Sequence, residues 1–126
     1  MNESEKYLKE GKQYLRAAQG KEGKPSRLMN DIRYNLLALS LEKCCMAILM
    51  RFNDLADNHT FSDLLDSVKR HVAIPEDLAG EILALEQVQS ICNLYEYHRR
   101  PPSDLEVNRL LAAAERICDT AEGAVC

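Results

Sequence analysis

Tryptophan is absent from this 126-residue chain, phenylalanine occurs twice, and aromatic residues make up only 6% of it. Glycine (five) and proline (four) are also scarce. A chain this poor in aromatic and turn-forming residues is neither collagen-like nor low-complexity, and it lacks the turn signals that punctuate an all-β sandwich. No stretch alternates apolar and polar residues over a useful length, so no strand is expected. Self-similarity at a period of about 20–50 residues is also missing, which excludes a solenoid. The longest apolar run, around Cys44 to Met50, follows Glu42 and Lys43 and is far too short to span a bilayer. Residues 1–16 are charged and amphipathic, without the apolar core of a signal peptide, so the cytoplasm is the expected location. An excess of positive charge is lacking too. The net charge is −4 and the pI near 5.4, whereas duplex-DNA binding draws most of its affinity from neutralising phosphates. A small local basic patch remains compatible with that balance.

The cysteines are Cys44, Cys45, Cys92, Cys118 and Cys126, an odd number without any CxxC spacing. They read as free thiols in a reducing compartment. Cys126 is the last residue of the sequence, so no prenylation box is expected.

What is abundant is helix-forming. Apolar residues make up 46% of the chain and charged residues 29%, and Leu, Ala, Glu, Arg and Lys dominate. The length suits a single domain, residues 1–126, with a core that needs neither disulfide nor metal. Residues 3–19 predict a first helix with Tyr7, Leu8, Gly11, Tyr14, Leu15 and Ala18 on one stripe. Two glycines and a proline then break the pattern between Gly20 and Ser26. Residues 27–53 predict a long helix, apolar around most of its circumference through Leu28, Ile32, Leu36, Leu39, Cys44 and Ile48. Such a helix belongs at the centre of a bundle.

Thr60 and Asp63 predict the start of a short third helix with Phe61, Leu64, Leu65, Val68 and Val72 inward. Pro75 opens a fourth helix over Glu76 to Arg99, with Leu78, Ile82, Leu85, Val88, Cys92 and Tyr95 as its stripe. Pro101 and Pro102 stop it. Ser103 and Glu106 form a capping box for a fifth helix, which Gly123 would end. Short connections make consecutive helices antiparallel neighbours. The expected fold is therefore an all-α, up-and-down antiparallel bundle of about five helices.

Chemistry-bearing constellations are few. His59, His71 and His98 lack ligand spacing with one another or with the cysteines, so no metal and no cofactor is expected. Asp63 and Asp66 share a helix face and read as a solvated acidic surface. The segment Gly20-Lys21-Glu22-Gly23-Lys24 lacks the spacing of a phosphate loop. The most informative cluster is Tyr95-Glu96-Tyr97-His98-Arg99-Arg100, at the end of the fourth helix. Arginine and tyrosine together hold phosphate and stack on a base, which makes Tyr95, His98, Arg99 and Arg100 candidate ligand contacts. Cations also complement the dipole at a helix C-terminus, and Glu96 sits four residues before Arg100, so a structural cap is the competing explanation. Arg33 and Tyr34 join the candidates, because antiparallel packing brings the start of the long helix towards the end of the fourth. A solvated first turn is the alternative there. No catalytic residue is assigned.

The run Leu36-Leu37-Ala38-Leu39-Ser40-Leu41-Glu42-Lys43-Cys44-Cys45-Met46-Ala47-Ile48-Leu49 is similar to the long central helix of HEPN domains. Asn58-His59-Thr60-Phe61-Ser62-Asp63-Leu64-Leu65 resembles the His-x-Leu-x-x-Leu-Leu element of that family, with Phe61 where an aliphatic residue is common. The segment Tyr95 to Ser103 resembles its aromatic-basic joint before a final Ala-rich helix, here Leu110 to Ala121. The resemblance covers most of the chain. It implies a bundle that dimerises, often beside a nucleotidyltransferase partner and related to toxin–antitoxin pairs. Family members that cut RNA carry an Arg followed after four to six residues by His. Here Arg51 precedes His59 by too many residues and no His follows Arg99 or Arg100, so that activity is not carried over. The expectation is a non-catalytic HEPN-like module binding a nucleotide, RNA or a partner protein, and not membrane or duplex DNA. Two alternatives are a divergent ribonuclease toxin using His98 with Arg99 or Arg100, and a purely structural dimerising adaptor.

Overall fold

Asn2 caps the first helix, its side chain accepting from the Glu5 N–H at 2.8 Å. Four further helices follow in the computed structural model. The elements are α1 (Glu3–Gln19), α2 (Asn30–Arg51), α3 (Phe61–Lys69), α4 (Glu76–Leu94) and α5 (Asp104–Val125). The structure describes residues 2–20, 29–56, 58–94 and 102–125, with side chains at all of these except 87–94. No strand occurs among the described residues, and the expected all-α bundle is what forms.

Local chemistry sets the helix starts. Thr60 caps α3 through its hydroxyl, which accepts from the Asp63 N–H at 3.3 Å and donates to the Asp63 carboxylate at 3.0 Å. Ser103 and Glu106 make the full reciprocal box at α5. The Ser103 N–H donates to Glu106 Oε1 at 2.8 Å, and the Glu106 N–H donates to Ser103 Oγ at 3.1 Å. α5 does not stop at Gly123. It continues to Val125, because buried Ala121 and the partly buried Ala124 and Val125 anchor its last turn.

Side-chain contacts fix the direction of each helix. α1 runs antiparallel to α2: Ser4 Oγ donates to the Ala47 carbonyl at 2.7 Å, Ser40 Oγ donates to the Gly11 carbonyl at 2.7 Å, and Arg33 meets Ala18. α5 runs parallel to α2, with Asn30 against Asp104 and Cys44 bonded to Cys118. α4 runs antiparallel to α5, through Asp77–Arg116 and Glu81–Arg109. The four long helices thus alternate up and down, with α2 packed on α1, α5 and α3.

α3 breaks the alternation. His59, just before it, pairs with Glu42 midway along α2, whereas Arg70 and His71, just after it, pair with Asp54 beyond the end of α2. Asp54 thus lies beyond the end of α2 and His59 back beside Glu42, and α3 runs alongside α2 in the same direction. This corrects the expectation that all consecutive helices are antiparallel. The segment between α2 and α3 is long enough to retrace about four turns of helix.

The core is aliphatic. Leu37, Leu41, Ile48, Leu49, Leu64, Ile82, Leu110 and Ile117 are fully buried, each stabilising the fold by about 1.5–3 kcal/mol relative to exposure. Two positions that the periodicity placed inside are instead exposed, Ile32 at 44% and Leu39 at 36%. The reason is the reach of α3. It covers α2 only from Glu42 onwards, so the outer side of the N-terminal half of α2 has no α3 against it.

The thiols also differ from expectation. Cys44 and Cys118 form a disulfide between α2 and α5, with Cα atoms 5.4 Å apart, within the range such bonds require. Cys45, next in sequence, points elsewhere and is a free, buried thiol.

Candidate functional site

The start of α2 meets the start of α5 at one end of the bundle. Met29, at the N-cap position, offers no side-chain cap. Asn30 instead bridges outward, its amide donating to the Pro102 carbonyl at 3.0 Å and to Asp104 Oδ1 at 2.8 Å. One turn in, Arg33 Nε donates to the Ala18 carbonyl at 3.1 Å. That carbonyl belongs to the last turn of α1, where a cation both satisfies the backbone and complements the dipole. Tyr34 turns inward. It is 2% exposed, and its hydroxyl donates to the Leu85 carbonyl of α4 at 2.8 Å.

Of the candidate ligand contacts, Arg33 and Tyr34 are thus joined to α1 and α4 respectively. Tyr34 belongs to the core and holds α2 to α4, rather than sitting on a solvated first turn. Tyr95, His98, Arg99 and Arg100 lie outside the described residues, as does the pairing of Glu96 with Arg100. What the described residues establish is that Asn30 is tied to Pro102 and Asp104, the residues that follow this cluster in sequence.

A second polar cluster was not legible in the sequence. Asp54 Oδ2 accepts from His71 Nε2 at 2.8 Å and from Arg70 Nη2 at 3.0 Å. The other carboxylate oxygen of Asp54, Oδ1, accepts from the Leu55 N–H at 2.8 Å. The His71 bond first, then Arg70, pull the Asp54 carboxyl down to about 2. Phe52 stacks on the other side of this joint, its ring 4.7 Å from that of His71 and 4° from parallel. The cluster locks the C-terminal ends of α2 and α3 together. A local signal existed, since Arg70 and His71 follow the last turn of α3, where cations are favoured. Their partner Asp54 could be found only once the direction of α3 was known.

The remaining interhelical charges act as struts. Glu81 takes both Nε and Nη2 of Arg109, and Asp77 takes the Arg116 guanidinium at 2.8 Å. Each arginine holds its carboxylate partner below the usual range, mainly by hydrogen bonding. Lys12–Glu122 and Lys43–Glu10 tie α1 to α5 and α2. Burial, and after it the Glu42 carboxylate, push the Cys45 thiol up to about 12. Among the described residues, no three His, Cys, Asp or Glu side chains gather as a metal site would require. Among them, too, no helix is long and apolar enough to cross a membrane.

No family model matches the chain, and no curated protein matches it. Its fold is shared with a solved structure, the crystal structure of TT1696 from Thermus thermophilus. The two superpose with a TM-score of 0.78 over 98% of this chain and 99% of the other, at 23% identity. That likeness extends over the whole bundle and concerns the fold.

Proposed function

We propose that this chain is a non-catalytic HEPN-like module of the cytoplasm that binds a nucleotide or a partner protein, working as a homodimer beside a nucleotidyltransferase-type protein. The observation that carries the reading is the place of α2. The helix whose sequence resembles the central helix of that family packs on α1, α3 and α5. The His59-Thr60 element that follows it opens a short helix, and an Ala-rich helix closes the chain. The ligand contacts assigned are Arg99 and Arg100 for phosphate, with Tyr95 and His98 for the base.

Calorimetric titration with adenine and guanine nucleotides tests the reading. Saturable heat is expected from the natural chain. It should fall at least tenfold in affinity in Arg99→Ala/Arg100→Ala, with an unchanged melting curve. No heat with any nucleotide, combined with a monomer in sedimentation and no co-elution with a nucleotidyltransferase encoded beside it, overturns the proposal.

A further inference from the structure

Three helices converge on one pair of sulfurs. Cys44 of α2 is bonded to Cys118 of α5, and both side chains are buried. α1 crosses directly over them at Gly11. A Cβ at Gly11 would stand 2.6 Å from Cys44 Sγ and 3.2 Å from the Ser40 carbonyl oxygen, so the close approach requires glycine. Ser40 completes the junction, its hydroxyl donating to the Gly11 carbonyl at 2.7 Å and lying 3.5 Å from Cys118 Sγ. The disulfide ties α2 to α5 covalently, while at this level α1 is held by packing, the Ser40 bond and the partly exposed ion pairs Glu10–Lys43 and Lys12–Glu122.

We propose that the Cys44–Cys118 bond is a reversible redox cross-link and that α1 is the lid whose docking it controls. Two separate thiols fill more space than one disulfide, and the Gly11 contact leaves no slack on the α1 side. Reduction by a small-molecule thiol therefore loosens α1, and exchange with that reagent's disulfide, by the reverse steps, re-forms the bond and seats it again. α1 is also the path by which a reagent reaches the sulfurs, because it covers Cys44 and buries only Ser4, Leu8, Gly11 and Ala18. The co-reactant is a small-molecule thiol. Its thiolate attacks one protein sulfur, breaks the bond and expels the other cysteine as a thiolate, which takes a proton from water. A second small thiolate attacks the mixed disulfide at its small-molecule sulfur, and the remaining cysteine leaves and is protonated in turn. Two electrons pass to the protein, which ends with two thiols, and the reagent ends as one disulfide.

The test is hydrogen–deuterium exchange on the full chain, oxidised and then reduced with dithiothreitol. Non-reducing peptide mapping accompanies it. Trypsin releases residues 44–51 with Cys45 beside Cys44, and residues 117–126 with Cys126 beside Cys118, so the linkage is assigned in Cys45→Ala/Cys126→Ala. The expected result is a linked peptide pair, with the exchange of α1 amides accelerated by reduction at least fivefold more than that of α3 amides. Absence of the linked pair overturns the cross-link. Identical α1 exchange in both states, or equal acceleration in every helix, overturns the lid. The exchange comparison uses the natural chain and stands even if the double variant folds poorly.

Discussion

Gly11 and Gly80 are both helical glycines, and their surroundings are opposite. Gly11 faces Cys44 Sγ and the backbone of α2, whereas a Cβ at Gly80 would meet nothing within 4 Å. Gly11→Ala is expected to destabilise the fold by about 1–3 kcal/mol through overpacking. Gly80→Ala is expected to stabilise it by about 0.5–1 kcal/mol by restricting the unfolded chain. Urea denaturation of the two variants checks both signs, and equal effects would refute the contrast. The sequence placed Gly11 on the inner stripe of α1 but held no sign of how closely α2 approaches. Tyr34, read as a candidate ligand contact towards the fourth helix with a solvated first turn as the alternative, does meet α4 but from within the core. A tyrosine among Asp31, Arg33 and Asn35 looks solvated, and only the position of α4 reveals the carbonyl that its hydroxyl meets. The Cys44–Cys118 pairing was illegible because its 74-residue separation carries no local signature.

Elements were legible where their ends are decided locally. Asn2, Thr60, Ser103 and Pro75 mark helix starts through bonds, or a missing N–H, within one turn. Thr60→Ala and Ser103→Ala are each expected to cost about 1 kcal/mol, measured by chemical denaturation at neutral pH. The direction of α3 was not legible, because it depends on Glu42–His59 and on Asp54 with Arg70 and His71, contacts formed across the fold. That second cluster gives α3 a pH dependence. The Asp54 carboxyl lies near 2 in the fold and near the ordinary value of about 3.9 when unfolded. Its contribution is therefore complete above pH ~4 and is lost as pH falls from there through about 2. Asp54→Asn is expected to be less stable than the natural chain at pH 7. The gap between their denaturation midpoints should close as pH falls from about 4 to about 2, and a gap independent of pH would contradict the assignment.

Over the whole molecule, the bundle follows from composition and periodicity, since few glycines and prolines and long apolar stripes leave little besides packed helices. The candidate ligand cluster, which follows α4 in sequence, rests on residue chemistry, and the described geometry reaches only to its flank at Pro102. The strongest single constraint on the unfolded chain is the disulfide. A cross-link closing a loop of that length is expected to contribute about 2–4 kcal/mol, read as the drop in urea midpoint when reductant is added. No change in midpoint on reduction would show that the bond does not constrain the unfolded state.

The alternation of the four long helices has a last consequence. α1 begins beside Ala47 near the close of α2, and α5 passes Cys44 and finishes towards that same end. Residues 3 and 125 therefore lie at one pole of the bundle, and Gly20, Met29 and Pro102 at the other. A short linker from residue 125 to residue 3, with the chain opened between Gly20 and Met29, would reorder the helices as α2, α3, α4, α5, α1 without moving any of them. In such a permutant Gly11 would reach its place over Cys44 as part of the final helix of the chain rather than the first.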